Sequence, residues 1–197
     1  MFLQGPRVTL RPLFRADLHQ MADWRPFDDP LFAEANWPQR STDDLNRWFT
    51  RCSQDPQRLL CAVTDKTGQL IGSITLRERD GRRSARLGVT LGADFVDQGF
   101  GTEALMLFVD YYFNQLGFEK MVLDVVAYNR RAIRVYQKLG FVKVGQHERA
   151  VGRGARWAFL EEPAYANTRQ FFRRDWLGRY WLLCYDMELK REDWKKR

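Results

Sequence analysis

Two stretches of this chain carry residue types whose spacing could do chemistry. In VTLGADFVDQGFGTEAL (89–105) a strand pattern runs through a glycine-rich turn into a long helix. A helix start presents unpaired N–H groups and the positive end of the helix dipole, and glycines let the backbone close on an anion without a Cβ in the way. The turn at Gly99 and Gly101 can therefore hold a phosphate or pyrophosphate. It can equally be a tight connection in which the glycines only supply unusual dihedrals. In AYNRRAIRVYQKLGFVKVG (127–145) Asn129, Ile133 and Tyr136 are spaced by four and three and share one helix face. Asn129 and Tyr136 then lie roughly 10 Å apart along the axis and offer an amide and a phenol. Read as packing alone, they are a helix N-cap and a half-buried core aromatic.

The glycine turn is not a nucleotide loop of the common kinds. It has no Gly-Lys-Ser/Thr ending, and Ala104 stands where a dinucleotide fingerprint has its third glycine. A dinucleotide fold also needs a parallel sheet from the outset. Here RVTLRPL (7–13) alternates as a strand, a short helix follows at about 16–24, and 25–41 reads as a Pro- and Asp-rich loop. Ser41 or Thr42 caps a helix to about Cys52. Strands at about 58–64, 70–79 and 84–91 are joined by Asp65-Lys66-Thr67-Gly68 and by a loop with Asp80-Gly81, which suits an antiparallel meander.

Beyond Gly101, Leu105, Phe108, Val109, Tyr112, Phe113 and Leu116 repeat at helical spacing up to Gly117. A strand (121–126), a helix (129–139), a strand (141–145), an aromatic-basic irregular stretch (152–178) with a helix near 165–175, and a last strand (180–189) complete the order. The fold class is α/β or α+β: a mixed, mostly antiparallel central sheet flanked by helices.

With both motifs in view, VDQGFGTEAL resembles the acyl-CoA-binding motif of the GNAT superfamily, and NRRAIRVYQKLGF resembles the motif that follows it there. RVTLRPLFRADL and LIGSITL (70–76) resemble the branch of ribosomal-protein N-terminal and polyamine acetyltransferases, so the likeness runs over about residues 7–145. The resemblance implies acetyl-CoA as co-substrate and transfer of its acetyl group to a primary amine, either a small cationic amine or a protein N-terminus. It implies that backbone N–H groups of Val96, Asp97, Gln98, Gly99, Phe100, Gly101 and Thr102 take the pyrophosphate and that Val89, Thr90 and Leu91 pair with the pantetheine arm. Asn129 would bond the pantetheine or a water near the amine, and Tyr136 would protonate the departing thiolate. A phenol, with a pKa of about 10, keeps its proton at neutral pH for that task.

Two positions depart from the family pattern. Val96 stands for a Gln or Arg, and Arg86 stands where many relatives carry a Glu that serves as base. An ammonium acceptor must lose a proton before it attacks. Glu78, Asp124, Glu103 and the carboxylates of 23–44 are the candidates. The missing Glu also leaves open an acyl-CoA-binding regulatory domain without turnover.

Composition bounds the rest. At 197 residues, 45% hydrophobic and 29% charged, the chain reads as one globular acetyltransferase domain, 1–197, with an insertion at about 152–178. No apolar run could span a bilayer and no secretory leader is apparent, so a cytoplasmic location is expected and a membrane partner is not. Cys52, Cys61 and Cys184 follow no disulfide or metal spacing and read as reduced thiols near the core. With His19 and His147 alone, a His-based metal centre is not expected. The net charge is +7, and 149–179 is basic through Arg149, Arg153, Arg156, Arg169, Arg173, Arg174 and Arg179. No nucleic-acid motif accompanies them, so a nucleic-acid partner is not expected. Asp23, Asp28, Asp29, Glu34, Asp43 and Asp44 would suit a cationic acceptor. The aromatics of 152–178 (Trp157, Phe159, Tyr165, Phe171, Phe172 and Trp176) could lid the acceptor site or form a homodimer contact.

Overall fold

The computed structural model describes residues 1–38, 41–152 and 155–196. The chain divides into two compact units, Met1–Met121 and Val122–Arg197.

In the first unit, strands β1 (Leu3–Gln4), β2 (Val8–Pro12), β3 (Leu59–Asp65), β4 (Leu70–Asp80) and β5 (Ser84–Leu91) are neighbours in chain order, and every pair is antiparallel. Alternation in β2 sends Val8 and Leu10 fully inward, as period-two burial requires. The β3–β4 turn closes because Asp65 Oδ1 accepts the N–H groups of Thr67 and Gln69 while Gly68 takes φ +86°. Helices α1 (Asp17–Ala22) and α2 (Thr42–Ser53) contribute Leu18, Met21 and Leu45 to a cluster with Leu13, Ala62 and Leu70, and Trp24, Trp37 and Trp48 pack against it. Ser41 caps α2 by accepting the Asp44 N–H. The buried face of α3 (Phe100–Asn114) is Ala104, Leu105, Phe108, Val109, Tyr112 and Phe113, close to the set read from spacing.

Strand β6 (Lys120–Val126) leads into the second unit, which holds α4 (Arg130–Lys138), β7 (Val142–Gly152), β8 (Phe172–Arg174), β9 (Tyr180–Lys190) and α5 (Arg191–Trp194). Its strands run β6-β9-β7, with β8 also on β9. The fold class is the mixed α/β type expected, with antiparallel pairing from β1 to β5 and of β9 with both β7 and β8.

Three expectations change. β7 runs to Gly152 rather than stopping near 145, because its outward face is polar and gives no burial signal: most of its residues are exposed. No α-helix forms near 165–175; short 3-10 turns at Pro163–Tyr165 and Arg169–Phe171 lead into β8. The rings of 152–178 are also largely used within their own unit. Trp157 and Phe159 are buried, and Trp157 packs on Phe172 and Tyr180. Among the described residues there, Trp176 and Leu177 are the exposed large apolar side chains.

Candidate active site

The glycine turn ends β5 with a 3-10 turn (Ala93–Phe95), after which Asp97 at φ +61° and Gly99 at φ +83° reverse the chain into α3. Gly99 is the N-cap of α3 and has no side chain to close the helix end. The first intrahelical bond is Glu103 N–H to Gly99 O, so the N–H groups of Phe100, Gly101 and Thr102 precede the ladder. Asp97, Gln98 and Gly99 are exposed. A Cβ on Gly99 would meet Arg7 Nη2 at 2.9 Å, and one on Gly101 would meet Leu91 Cδ1 at 2.8 Å. Such a cradle, bare of Cβ atoms at a dipole's positive end, fits a pyrophosphate. Val89, Thr90 and Leu91 lie on β5 opposite Ile74, Ser73 and Gly72 of β4.

Arg7 was not anticipated at this site, and it organises the turn. Its guanidinium donates to Gln98 O at 2.9 Å and to Glu103 Oε2 at 2.9 Å, and lies 5.1 Å from the Phe100 ring centroid. Glu103 also accepts the backbone N–H groups of Arg7 and Val8 at 2.6 and 3.1 Å. Burial pulls its pKa up, but the Arg7 and Val8 N–H groups and the Arg7 charge outweigh it and hold the carboxyl below the usual 4.5. Such a carboxylate clamps two segments together and is a poor base. Glu78 sits in a bulge of β4 at φ +53° and is bound by Arg86 at 2.6 Å. Arg86, which stands where the resemblance leads one to expect a glutamate, thus engages one of the alternative carboxylates.

In the second unit α4 carries both chemical side chains foreseen on it. Asn129 is the N-cap: its Oδ1 accepts the Ala132 N–H at 3.1 Å, and its Nδ2 is a further donor. Tyr136 is half-buried against Phe141, with ring centroids 5.7 Å apart. Burial, and then the negative charge of Asp124, push its phenol up to about 12. Asp124 on β6 lies 3.6 Å from Arg149 and is only 16% exposed. Its carboxylate, the His147 imidazole and the Cys184 thiol offer ligand atoms that all lie within 4.8 Å of one another.

His147 and Cys184 are direct cross-strand partners on β7 and β9, and Asp186 bonds His147 Nδ1 at 3.0 Å. The sequence reading found Asp124 but not this row. The signal was present as alternation, His147 with Arg149 on one strand and Cys184 with Asp186 on the other, but strand pairing could not be read from either alone.

The two charged stretches are mostly bound to their own chain. Asp28 pairs with Arg25, which also holds Asp94; Asp29 caps the 3-10 turn at Pro30–Ala35; Asp44 pairs with Arg47. In the basic stretch, Arg156 donates to Val151 O, Arg169 to the carbonyls of Leu160 and Glu161, Arg173 to Glu148 and Arg179 to Asp175. Arg153 lies outside the described residues. Cys52, Cys61 and Cys184 are free and buried, as expected.

Residues 7–142 match the acetyltransferase (GNAT) domain. The spermidine N(1)-acetyltransferase of Vibrio cholerae serotype O1 is 29% identical over 143 residues, covering 71% of this chain and 81% of that protein. The spermidine N(1)-acetyltransferase of Escherichia coli K12 is 30% identical over 143 residues, covering 71% and 75%. Among solved structures, the Vibrio cholerae spermidine N-acetyltransferase in complex with CoA and spermine superposes with a TM-score of 0.71 at 22% identity, covering 97% of this chain and 99% of that one. The open helix start, the phenol on α4 and these likenesses agree: the chain belongs to the GNAT acetyltransferase family and is an N-acetyltransferase that moves an acetyl group from acetyl-CoA to a primary amine.

Proposed function

We propose that the acceptor is a small polycation of the polyamine class and that the whole chain works as one acetyltransferase domain. The observation that carries the catalytic assignment is Tyr136, a phenol kept protonated by burial beside Asp124. The names of the relatives support the acceptor class, and the carboxylates of 23–44 supply the matching charge.

In this reading N–H groups from Val96 to Thr102 receive the pyrophosphate and the backbone of Val89–Leu91 aligns the pantetheine. The Asn129 amide donates to its carbonyl or to a water beside the amine. Asp124, acting through water, accepts the proton that the ammonium must lose. It is the candidate carboxylate whose charge is felt at Tyr136; Arg149 stands 3.6 Å from it, whereas arginines hold Glu103 and Glu78 at 2.9 and 2.6 Å. The amine nitrogen then bonds the thioester carbon, the carbon–sulfur bond breaks, and Tyr136 gives its proton to the leaving thiolate. The phenolate recovers a proton from the new amide nitrogen. No step requires a metal ion.

The described residues include no helix long and apolar enough to cross a membrane, and we assign the reaction to the cytoplasm. We place the homodimer contact of 152–178 at the exposed Trp176 corner.

The experiment is thiol release from acetyl-CoA with a panel of polyamines, aminoglycosides and N-terminal peptides. Turnover with polyamines is the expected result. Tight acetyl-CoA binding without turnover on any amine would favour the regulatory alternative that Arg86 suggests.

A further inference from the structure

We propose that Asp124, His147 and Cys184 form a three-ligand site for a divalent cation of zinc type, whose occupation inhibits acetyl transfer. The donor set is one carboxylate oxygen, one imidazole nitrogen and one thiolate sulfur, the mixture that tetrahedral Zn²⁺ accepts with its fourth position left to water. Three strands supply it. Cys184 on β9 is the register partner of His147 on β7, so both side chains emerge on one face of the sheet, and β6, which carries Asp124, is the other neighbour of β9. The ligand atoms already lie within 4.8 Å of one another, and rotations about side-chain torsions suffice to bring them onto one ion.

The surroundings are those of a ligating histidine. Asp186, two residues beyond Cys184, bonds His147 Nδ1 at 3.0 Å, which fixes the tautomer and leaves Nε2 for the ion. Cys184 is fully buried and its thiol makes a long contact of 3.7 Å to Leu182 O. Burial raises the thiol's pKa, so without an ion it stays protonated, and binding of a dication would release one proton. Arg149 provides the positive charge facing Asp124 in the ion-free chain. It is 47% exposed and can turn to solvent when a dication replaces it.

Inhibition follows from Asp124. A cation bound there removes the carboxylate from proton transfer. This consequence rests on the catalytic reading above, whereas the binding itself does not.

The test is titration of the full chain with Co²⁺ as a spectroscopic probe, followed by Zn²⁺ in the thiol-release assay. One equivalent should produce a thiolate-to-cobalt charge-transfer band with release of one proton. Cys184→Ser should lose the band. Asp186→Asn, which keeps all three ligands, should bind about 10- to 100-fold more weakly. Zn²⁺ should inhibit the parent at concentrations at least tenfold below those that affect Cys184→Ser, each read relative to its own ion-free turnover. Absence of a charge-transfer band at saturating Co²⁺, or a band that survives in Cys184→Ser, overturns the site. Because the band is read without substrate, an enzyme that proved inactive would still decide the question.

Discussion

Glu103, on the helix of the first motif, and Asp124, on the strand that leads into the second, are both carboxylates, yet their surroundings differ in kind. Glu103 is closed on by a guanidinium and two backbone N–H groups at 2.6 to 3.1 Å, and nothing in that arrangement has to move for the turn to stay in place. Asp124 faces Arg149 at 3.6 Å and shares its space with an imidazole and a thiol whose ligand atoms lie within 4.8 Å of its own. The first region is arranged to hold a shape, and the second gathers a carboxylate, an imidazole and a thiol at one place. A carboxylate's short, complete bonding is therefore a sign of scaffolding, and a looser cluster of titratable groups is where chemistry can be sought.

The largest effect that sharpens this contrast is expected at the scaffold itself. Gly99→Val places a β-branched side chain at φ +83° and in front of the N–H groups that open α3. Acetyl-CoA affinity should fall by at least about a thousandfold, roughly 4 kcal/mol, while circular dichroism stays near that of the parent. Calorimetry showing equal binding would remove the pyrophosphate assignment.

Next in size is Glu103→Ala, which leaves two backbone N–H groups and Arg7 without their acceptor. Hydrogen bonds to charged groups contribute about 1.5 to 3 kcal/mol, so a loss on the order of 3 kcal/mol is expected, roughly 6 to 12 °C in Tm for a chain of this size. The pH dependence separates charge from packing. The folded-state pKa lies below the usual 4.5, so Glu103 contributes stability above about pH 4.5 that is lost as the pH falls through the folded value. Glu103→Gln should flatten that part of the acid unfolding curve. An unchanged slope would mean that the clamp does not depend on ionisation.

Tyr136→Phe comes third and tests the proton-transfer region. A positioned general acid contributes about 10²- to 10⁴-fold, but a thiolate can partly leave unassisted, so turnover should fall by at least about tenfold, 1.4 kcal/mol, with the KM for acetyl-CoA unchanged. With the phenol up at about 12, the parent should show no alkaline decline from Tyr136 below about pH 10. A fully active variant would reduce Tyr136 to a core aromatic packed on Phe141.

These two regions were not equally legible in the sequence. The glycine turn announced itself because local rules govern it: a strand period, two glycines and a helix period in one continuous stretch. Asn129 was readable both as an amide and as a cap, and the structure uses its oxygen as the cap while its Nδ2 can still donate, so the two readings were never exclusive. The clamp through Arg7 was not legible, since it joins positions 96 residues apart. The Asp124, His147, Cys184 row was hidden for the same reason: strand register is a tertiary property, and each residue alone looked like an ordinary strand position. The rings of 152–178 suggested an exposed surface because composition records aromatic content and not the neighbours that bury it.

The smallest effect is expected where charge is neither clamped nor clustered. Asp28 is 85% exposed and paired with Arg25, and Asp29 is spent on capping its own 3-10 turn. Exposed ion pairs contribute about 0 to 1 kcal/mol, and solvent screens their reach. If 23–44 attracts a polyamine, it does so as a field summed over several carboxylates rather than through one tight bond. Neutralising Asp28, Asp29 and Glu34 together should raise the KM for the polyamine by about two- to fivefold, leave that for acetyl-CoA alone, and lose this difference at high ionic strength. A loss of a hundredfold would show that one of these carboxylates contacts the acceptor directly, and the acidic stretch would then resemble the Asp124 region more than a solvated surface. No change at low salt would detach 23–44 from acceptor binding altogether.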